Sequence, residues 1–314
     1  MKRLFAIYLL LALGFVACDE DDDCPYVDAR LCDPELRDSI ENSGTITDTT
    51  TNDTGVVNGT TITYSPQVFE DLERSILLED FTGFRCVNCL PATQTAASLL
   101  NQWGNRLVVV AYHATQQFAA PIADPPEPYS TDFRTPEGES FLSEFLIGGL
   151  PTGLVNRRNF GTGLTQSAGN WPGLVNDLMA EEPSGFVRFR DVDPNQNAGE
   201  VSFKVAARMF GEIEENYSLV VGIYEDNLIE AQKDGEETIY PYTHNHVFRS
   251  NVNGQYGQPV FTSSTTFEEN SAELFTFNAV LESEWEMENS YLFAYLMSED
   301  NLEVVQCTKH PIIE

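Results

Sequence analysis

Two kinds of hydrophobic pattern divide this chain. Before residue 183, apolar runs alternate with segments of helical spacing; after it, short alternating segments follow one another without helices between them. Residues 76–81 (Ile-Leu-Leu-Glu-Asp-Phe) read as a buried strand, and a turn follows at Thr82-Gly83-Phe84. Ala92, Ala96, Leu99, Leu100 and Trp103 then recur at the spacing of an amphipathic helix. The apolar run 106–113 suits a second buried strand, so the order is that of a βαβ unit. A helical segment is predicted over 138–147, a short strand at 153–155 and a last helix over 171–180, with Asn170 at its cap position. Pro183-Ser184-Gly185 marks a boundary. Beyond it seven segments (186–189, 201–207, 217–224, 246–248, 274–281, 291–297 and 304–307) predict a β-sandwich of immunoglobulin-like type over 184–314.

The start of the chain has another logic. Lys2-Arg3, an apolar run over 4–17 and a small residue, Ala17, have the layout of a secretory signal, too short to span a bilayer comfortably. Because Cys18 follows, 1–17 resembles a bacterial lipoprotein signal peptide, which implies acylation of Cys18 as the mature N-terminus; Phe15 stands where such signals carry Leu. An ordinary signal peptide cut nearby is the alternative. Asp19-Glu20-Asp21-Asp22-Asp23 resembles the acidic tag that directs Bacteroidota lipoproteins to the outer face of the outer membrane, and equally fits a solvated leash. Residues 39–63 are rich in Thr, Asn, Asp and Gly, so 18–64 is expected to be a lipidated N-terminus and flexible tether. Asp38-Ser39-Ile40 and Asp48-Thr49-Thr50 look like O-glycosylation sites of such bacteria.

Charge narrows the partners. With 49 acidic against 17 basic residues and a net charge of −32, a phosphate-tracking surface is excluded, as nucleic-acid affinity comes largely from Lys and Arg. Anionic lipid is repelled too, so membrane attachment would rest on the lipid anchor. The glycines near 161–163 are too loosely spaced for a phosphate loop.

Chemistry concentrates at Cys86 and Cys89, a Cys-x-x-Cys at a strand-to-helix junction. A helix N-terminus and the adjacent Arg85 favour a thiolate on Cys86, and Cys89 is near enough to resolve a mixed disulfide. Pro91 limits this: a helix starting at residue 87 would have to kink there, and a later start weakens the dipole's hold on Cys86. Of six cysteines, Cys24, Cys32 and Cys307 remain once Cys18, Cys86 and Cys89 are assigned. Cys24 and Cys32 can close a small loop, and Cys307 can pair with either. His113 ends the second buried strand, as a candidate proton carrier or as a histidine satisfied locally. Five prolines across 114–136 predict an ordered loop or lid beside the site. His244-Asn245-His246 would set two imidazoles on one strand face, too few on their own to define a metal site, and no cofactor is called for.

Residues 65–183 resemble a thioredoxin-superfamily domain: Asp80 lies six residues before Cys86, where that family has a buried acid, and Pro151 lies where it has a cis-proline before a late strand. The resemblance implies an α/β fold with Asp80 assisting proton transfer and Pro151 shaping a substrate groove. Burial would raise the pKa of Asp80; Glu79 beside it is the competing acid, read as outward-facing. Arg85 in place of Trp, and Val87-Asn88 between the cysteines, depart from the pattern. More narrowly, Leu78-Glu79-Asp80-Phe81-Thr82-Gly83, Leu150-Pro151-Thr152-Gly153 and His244-Asn245-His246-Val247-Phe248-Arg249 resemble the 28-kDa outer-membrane-protein-related lipoproteins of the Bacteroidota. The expected activity is thiol–disulfide exchange on extracytoplasmic proteins, with protein thiols and disulfides as partners. The alternative is a surface adhesin or assembly subunit, engaging a surface or host protein through its β-sandwich, with a structural Cys86–Cys89 bridge.

Overall fold

Strands with apolar side chains on both faces require a layer on each side. The computed structural model describes residues 45–47, 60–70, 72–262 and 265–314. Along the chain come β1 (Thr45–Thr47), β2 (Thr60–Thr63), α1 (Gln67–Glu70), β3 (Ile76–Thr82), α2 (Cys89–Trp103), β4 (Leu107–His113), α3 (Pro136–Glu144), β5 (Thr152–Val155), β6 (Thr165–Gln166) and α4 (Trp171–Met179). Then follow β7 (Gly185–Asn195), β8 (Glu200–Met209), β9 (Tyr217–Glu225), β10 (Leu228–Asp234), β11 (Glu237–His244) and β12 (Val247–Asn251). The last are β13 (Gln258–Val260), β14 (Ser271–Val280), β15 (Ser290–Ser298) and β16 (Val304–Pro311). The molecule is mostly β-sheet with few helices.

Every residue of β3 and β4 is buried, and the two strands run parallel, Ile76 opposite Leu107 through to Thr82 opposite His113. On one face Ile76, Leu78, Leu107 and Val109 pack under α2 and α4, against Ala92, Leu99, Trp171 and Val175. On the other, Leu77, Phe81, Val108 and Tyr112 meet Phe141 and Phe145 at and beyond α3.

The sheet does not end with this unit. It continues in the order β16-β15-β9-β12-β4-β3-β5-β6, with β13 paired to β9, so strands from both sides of Pro183-Ser184-Gly185 share it. The joint is β12 beside β4, parallel, with Val247 opposite Ala111 and the Ala111 N–H donating to the His246 carbonyl at 2.7 Å. A second sheet, β1-β2-β14-β8-β7, packs over the β9–β15 end, where its Phe203, Val205 and Phe277 share a core with Leu219, Val221, Leu292, Ala294 and Leu296 of the first.

Three expectations change here. Residues 60–63, read as tether, form β2: Thr63 pairs with Ser271 and Ile62 is fully buried, because a β-branched Thr-Thr-Ile-Thr segment suits a sheet as well as a linker. Between the predicted strands 217–224 and 246–248, residues Leu228–Asp234 and Glu237–His244 form the β10–β11 hairpin, which the sequence pattern does not predict. Asn170 stands at the start of α4 but makes no capping bond; its amide donates to Gln166 instead. The proline-rich loop between β4 and α3 contains turns and no regular helix or strand, apart from one bridge between His113 and Arg134. Cys18, Cys24, Cys32 and the proposed glycosylation sites lie outside the described residues.

Candidate functional site

β3 ends at Thr82, and the chain turns sharply so that the Cys86 N–H donates to the Gly83 carbonyl at 3.0 Å. Glycine is required at 83, since a Cβ there would lie 2.6 Å from the Phe118 carbonyl oxygen. α2 begins at Cys89, which places Pro91 in its first turn, where the missing N–H costs nothing. The helix therefore starts three residues after Cys86, and the expected dipole activation of that thiol is weakened. The Arg85 guanidinium donates to the Gln116 carbonyl at 2.5 Å, a neutral acceptor that leaves its positive charge in place beside Cys86.

Cys86 and Cys89 form a disulfide with Cα atoms 5.4 Å apart, and their exposures are 2% and 1%. The β10–β11 hairpin covers them. The Lys233 N–H donates to the Phe84 carbonyl at 2.7 Å, and the Gln232 side chain to the Cys86 carbonyl at 3.4 Å. Glu230 fastens the hairpin to the proline-rich loop by accepting from the N–H groups of Tyr129, Ser130 and Thr131 at 2.7, 3.1 and 2.9 Å. Burial would raise its pKa, and the backbone donors outweigh that and lower it.

Asp80 is buried on the α2 face of β3 with Oδ1 lacking a partner, and desolvation pushes its pKa up to about 7. Glu79, expected to face outward, is buried on the opposite face, where Arg157 donates to both its carboxylate oxygens at 2.8 and 2.6 Å. Strand alternation sends the two acids to opposite faces, and both faces are covered.

His113 is buried with Nδ1 unpartnered, and burial, with His244 and Arg249 nearby, holds its pKa well below the ordinary value. Its ring lies 5.2 Å from that of His244. His244 Nε2 is 3.2 Å from the Ala231 carbonyl, an acceptor only, so this nitrogen carries the proton; burial pushes the pKa down to about 4. Neither imidazole is charged near neutrality. The expected pairing of His244 with His246 on one strand face is overturned: β11 ends at His244, and His246 sits in the following turn with φ 59°, near Asp226. Among the described residues no group of three or more His, Cys, Asp or Glu is arranged to hold a metal.

Asp80, His113 and His244 line one cavity of about 70 Å³ with Thr82, Thr93, Ala96, Ala97, Leu100, Val109, Ala111, Gln232 and Tyr242. Cys86, Cys89 and Pro151 do not line it. Pro151 follows a cis peptide bond and precedes β5, which pairs antiparallel with β3, Asp80 opposite Gly153. Cys307 is a buried free thiol whose pKa burial raises. The hairpin residues are what the sequence reading missed. Asp234-Gly235 between two strand-forming stretches is a hairpin signal that could have found them.

These observations define a predominantly β-sheet protein in which one small βαβ unit carries a covered disulfide. The model of the outer membrane protein Omp28 family matches residues 139–314, more than half of the chain, and the chain belongs to that family, which places it at the outer membrane. The matched part begins beyond Cys86 and Cys89. Among solved structures, a structural-genomics protein of Agrobacterium tumefaciens is similar at 11% identity and a TM-score of 0.46, over 78% of this chain and 97% of the other. A domain of the outer membrane lipoprotein Omp28 from Porphyromonas gingivalis is similar at 14% identity and a TM-score of 0.30, over 40% and 86%. No curated protein matches the chain.

Proposed function

We propose that the chain is a binding protein of the outer membrane, held by lipid on Cys18, in which a thioredoxin-like unit within 65–183 is a scaffold and the Cys86–Cys89 bridge is structural. The observation that carries this is the closure of both cysteines beneath the β10–β11 hairpin, whose backbone bonds directly to the turn before them. The order of strand, Cys-x-x-Cys turn, helix and parallel strand supports the thioredoxin-like description, and the late α2 start weakens the helix-terminus contribution to thiol activation. A protein partner would meet the β-sandwich; the acidic charge disfavours nucleic acid.

Thiol–disulfide exchange is the second reading, favoured by Asp80, an acid able to take a proton near neutral pH on the face of β3 that packs against α2. It requires the hairpin to move. Native protein is treated with dithiothreitol, alkylated and weighed by mass spectrometry, with insulin reduction assayed in parallel. A bridge that stays closed until the protein unfolds is the expected result. Reduction within minutes under native conditions, with insulin turnover lost in Cys86→Ser, would overturn the structural reading in favour of exchange.

A further inference from the structure

The cavity beside the disulfide has a chemistry that the bridge does not use. Its floor holds Asp80 and His113, each buried and each with an oxygen or nitrogen that lacks a partner. Its wall from α2 and β4 is aliphatic, made by Ala96, Ala97, Leu100, Val109 and Ala111. Ala97 and Asn245 are exposed, so the mouth opens between α2 and the turn after β11. A volume of about 70 Å³ holds about two waters, or in their place the head of a short alkylammonium whose chain runs along the aliphatic wall toward the mouth.

We propose that this cavity binds an alkylammonium group, its charged end on Asp80 and His113 and its chain along the aliphatic wall. A carboxylate and a neutral imidazole nitrogen accept hydrogen bonds that an ammonium donates. No cation of the protein competes for Asp80 within the cavity: the other titratable groups lining it are His113, His244, His246 and Tyr242, and α2 contributes Thr93, Ala96, Ala97 and Leu100, none of them charged. Arg249, near His113 but outside the lining, is paired with Glu225 at 2.7 Å. The net charge of −32 raises the local concentration of cations. This deepens the binding-protein reading but does not depend on the state of the bridge, so the reductant experiment and the one below can fail separately.

The ligand binds ionised Asp80, while an alkylammonium stays charged well above neutral pH. Affinity should therefore fall about tenfold for each pH unit below about 7 and level off above it. The experiment is calorimetric titration of the full chain with n-butylammonium, with n-butanol as the uncharged control and Nα-acetyl-lysine amide as a mimic of a protein side chain. Saturable binding of n-butylammonium, absent for n-butanol, and weakened at least tenfold in Asp80→Asn and in the mouth-blocking Ala97→Trp, supports the proposal, with thermal unfolding to show that both variants fold. Binding of the lysine amide in addition points to a partner's side chain, and binding of n-butylammonium alone to a free amine. Equal binding of the alcohol, no pH dependence, an unaffected Asp80→Asn, or no binding by either amine overturns it.

Discussion

Arg157 holds Glu79 by two hydrogen bonds in a place where neither is exposed, and the same guanidinium reaches the Tyr295 hydroxyl at 3.0 Å. Phe141, Phe145 and Tyr295 each place a ring about the guanidinium, at 5.1, 4.9 and 5.2 Å. Through this guanidinium, the segment after β5 ties β3 by an ion pair and β15 by a hydrogen bond, across the two parts of the sequence.

Replacing Arg157 by Met leaves the Glu79 carboxylate buried without its cation. The expected loss is about 3–5 kcal/mol, read from urea unfolding. Adding Glu79→Leu should recover much of it, because the apolar pair carries no buried charge. A double variant no more stable than Arg157→Met alone would contradict this account.

Asp80 makes stability depend on pH in an unusual sense. Its pKa is raised from 3.8 to about 7 on folding, so the native state keeps a proton that the unfolded chain loses, and stability falls as pH rises through that window. The full span corresponds to about 4 kcal/mol. His113 and His244 act oppositely: their folded pKa values are depressed, and the stability they contribute above 6.5 is lost as pH falls, toward about 4 for His244. Asp80→Asn should therefore be more stable than the parent at pH 8 and show a steeper loss on acidification, measured as urea midpoints from pH 4 to 8.

Glu230→Ala removes the acceptor for three loop N–H groups and loosens the hairpin over the bridge. Charged hydrogen bonds of this kind are worth about 1.5–3 kcal/mol, enough to speed native-state reduction of Cys86–Cys89 by about tenfold or more. Alkylation after timed exposure to dithiothreitol measures it.

Gly83→Ala forces a Cβ against the Phe118 carbonyl, so the turn or the loop must shift. A cost of about 1–3 kcal/mol in thermal or urea unfolding is expected.

The βαβ unit was legible because its strands are continuous apolar runs and its helix has a clean apolar face. Seven of the later strands were legible as short alternating apolar segments. The hairpin was not: Glu230, Lys233, Asp234, Glu236 and Glu237 give it the look of a solvated connection, and what holds it is pairing and backbone bonds rather than a hydrophobic stripe. The disulfide could be read from spacing alone, but its burial could not, since the residues that cover it lie far along the chain. The juxtaposition of His113 with His244 escaped notice for that reason too, and the local pattern instead suggested His244 with His246.

The joint between Val247 and Ala111 also imposes an order in time. Until the segment around residue 247 is available, β4 presents an open edge of unpaired backbone groups, the kind of edge on which chains associate wrongly. The first half of the protein thus waits on the second to be completed, and a fragment stopping at residue 183 would carry that open edge permanently.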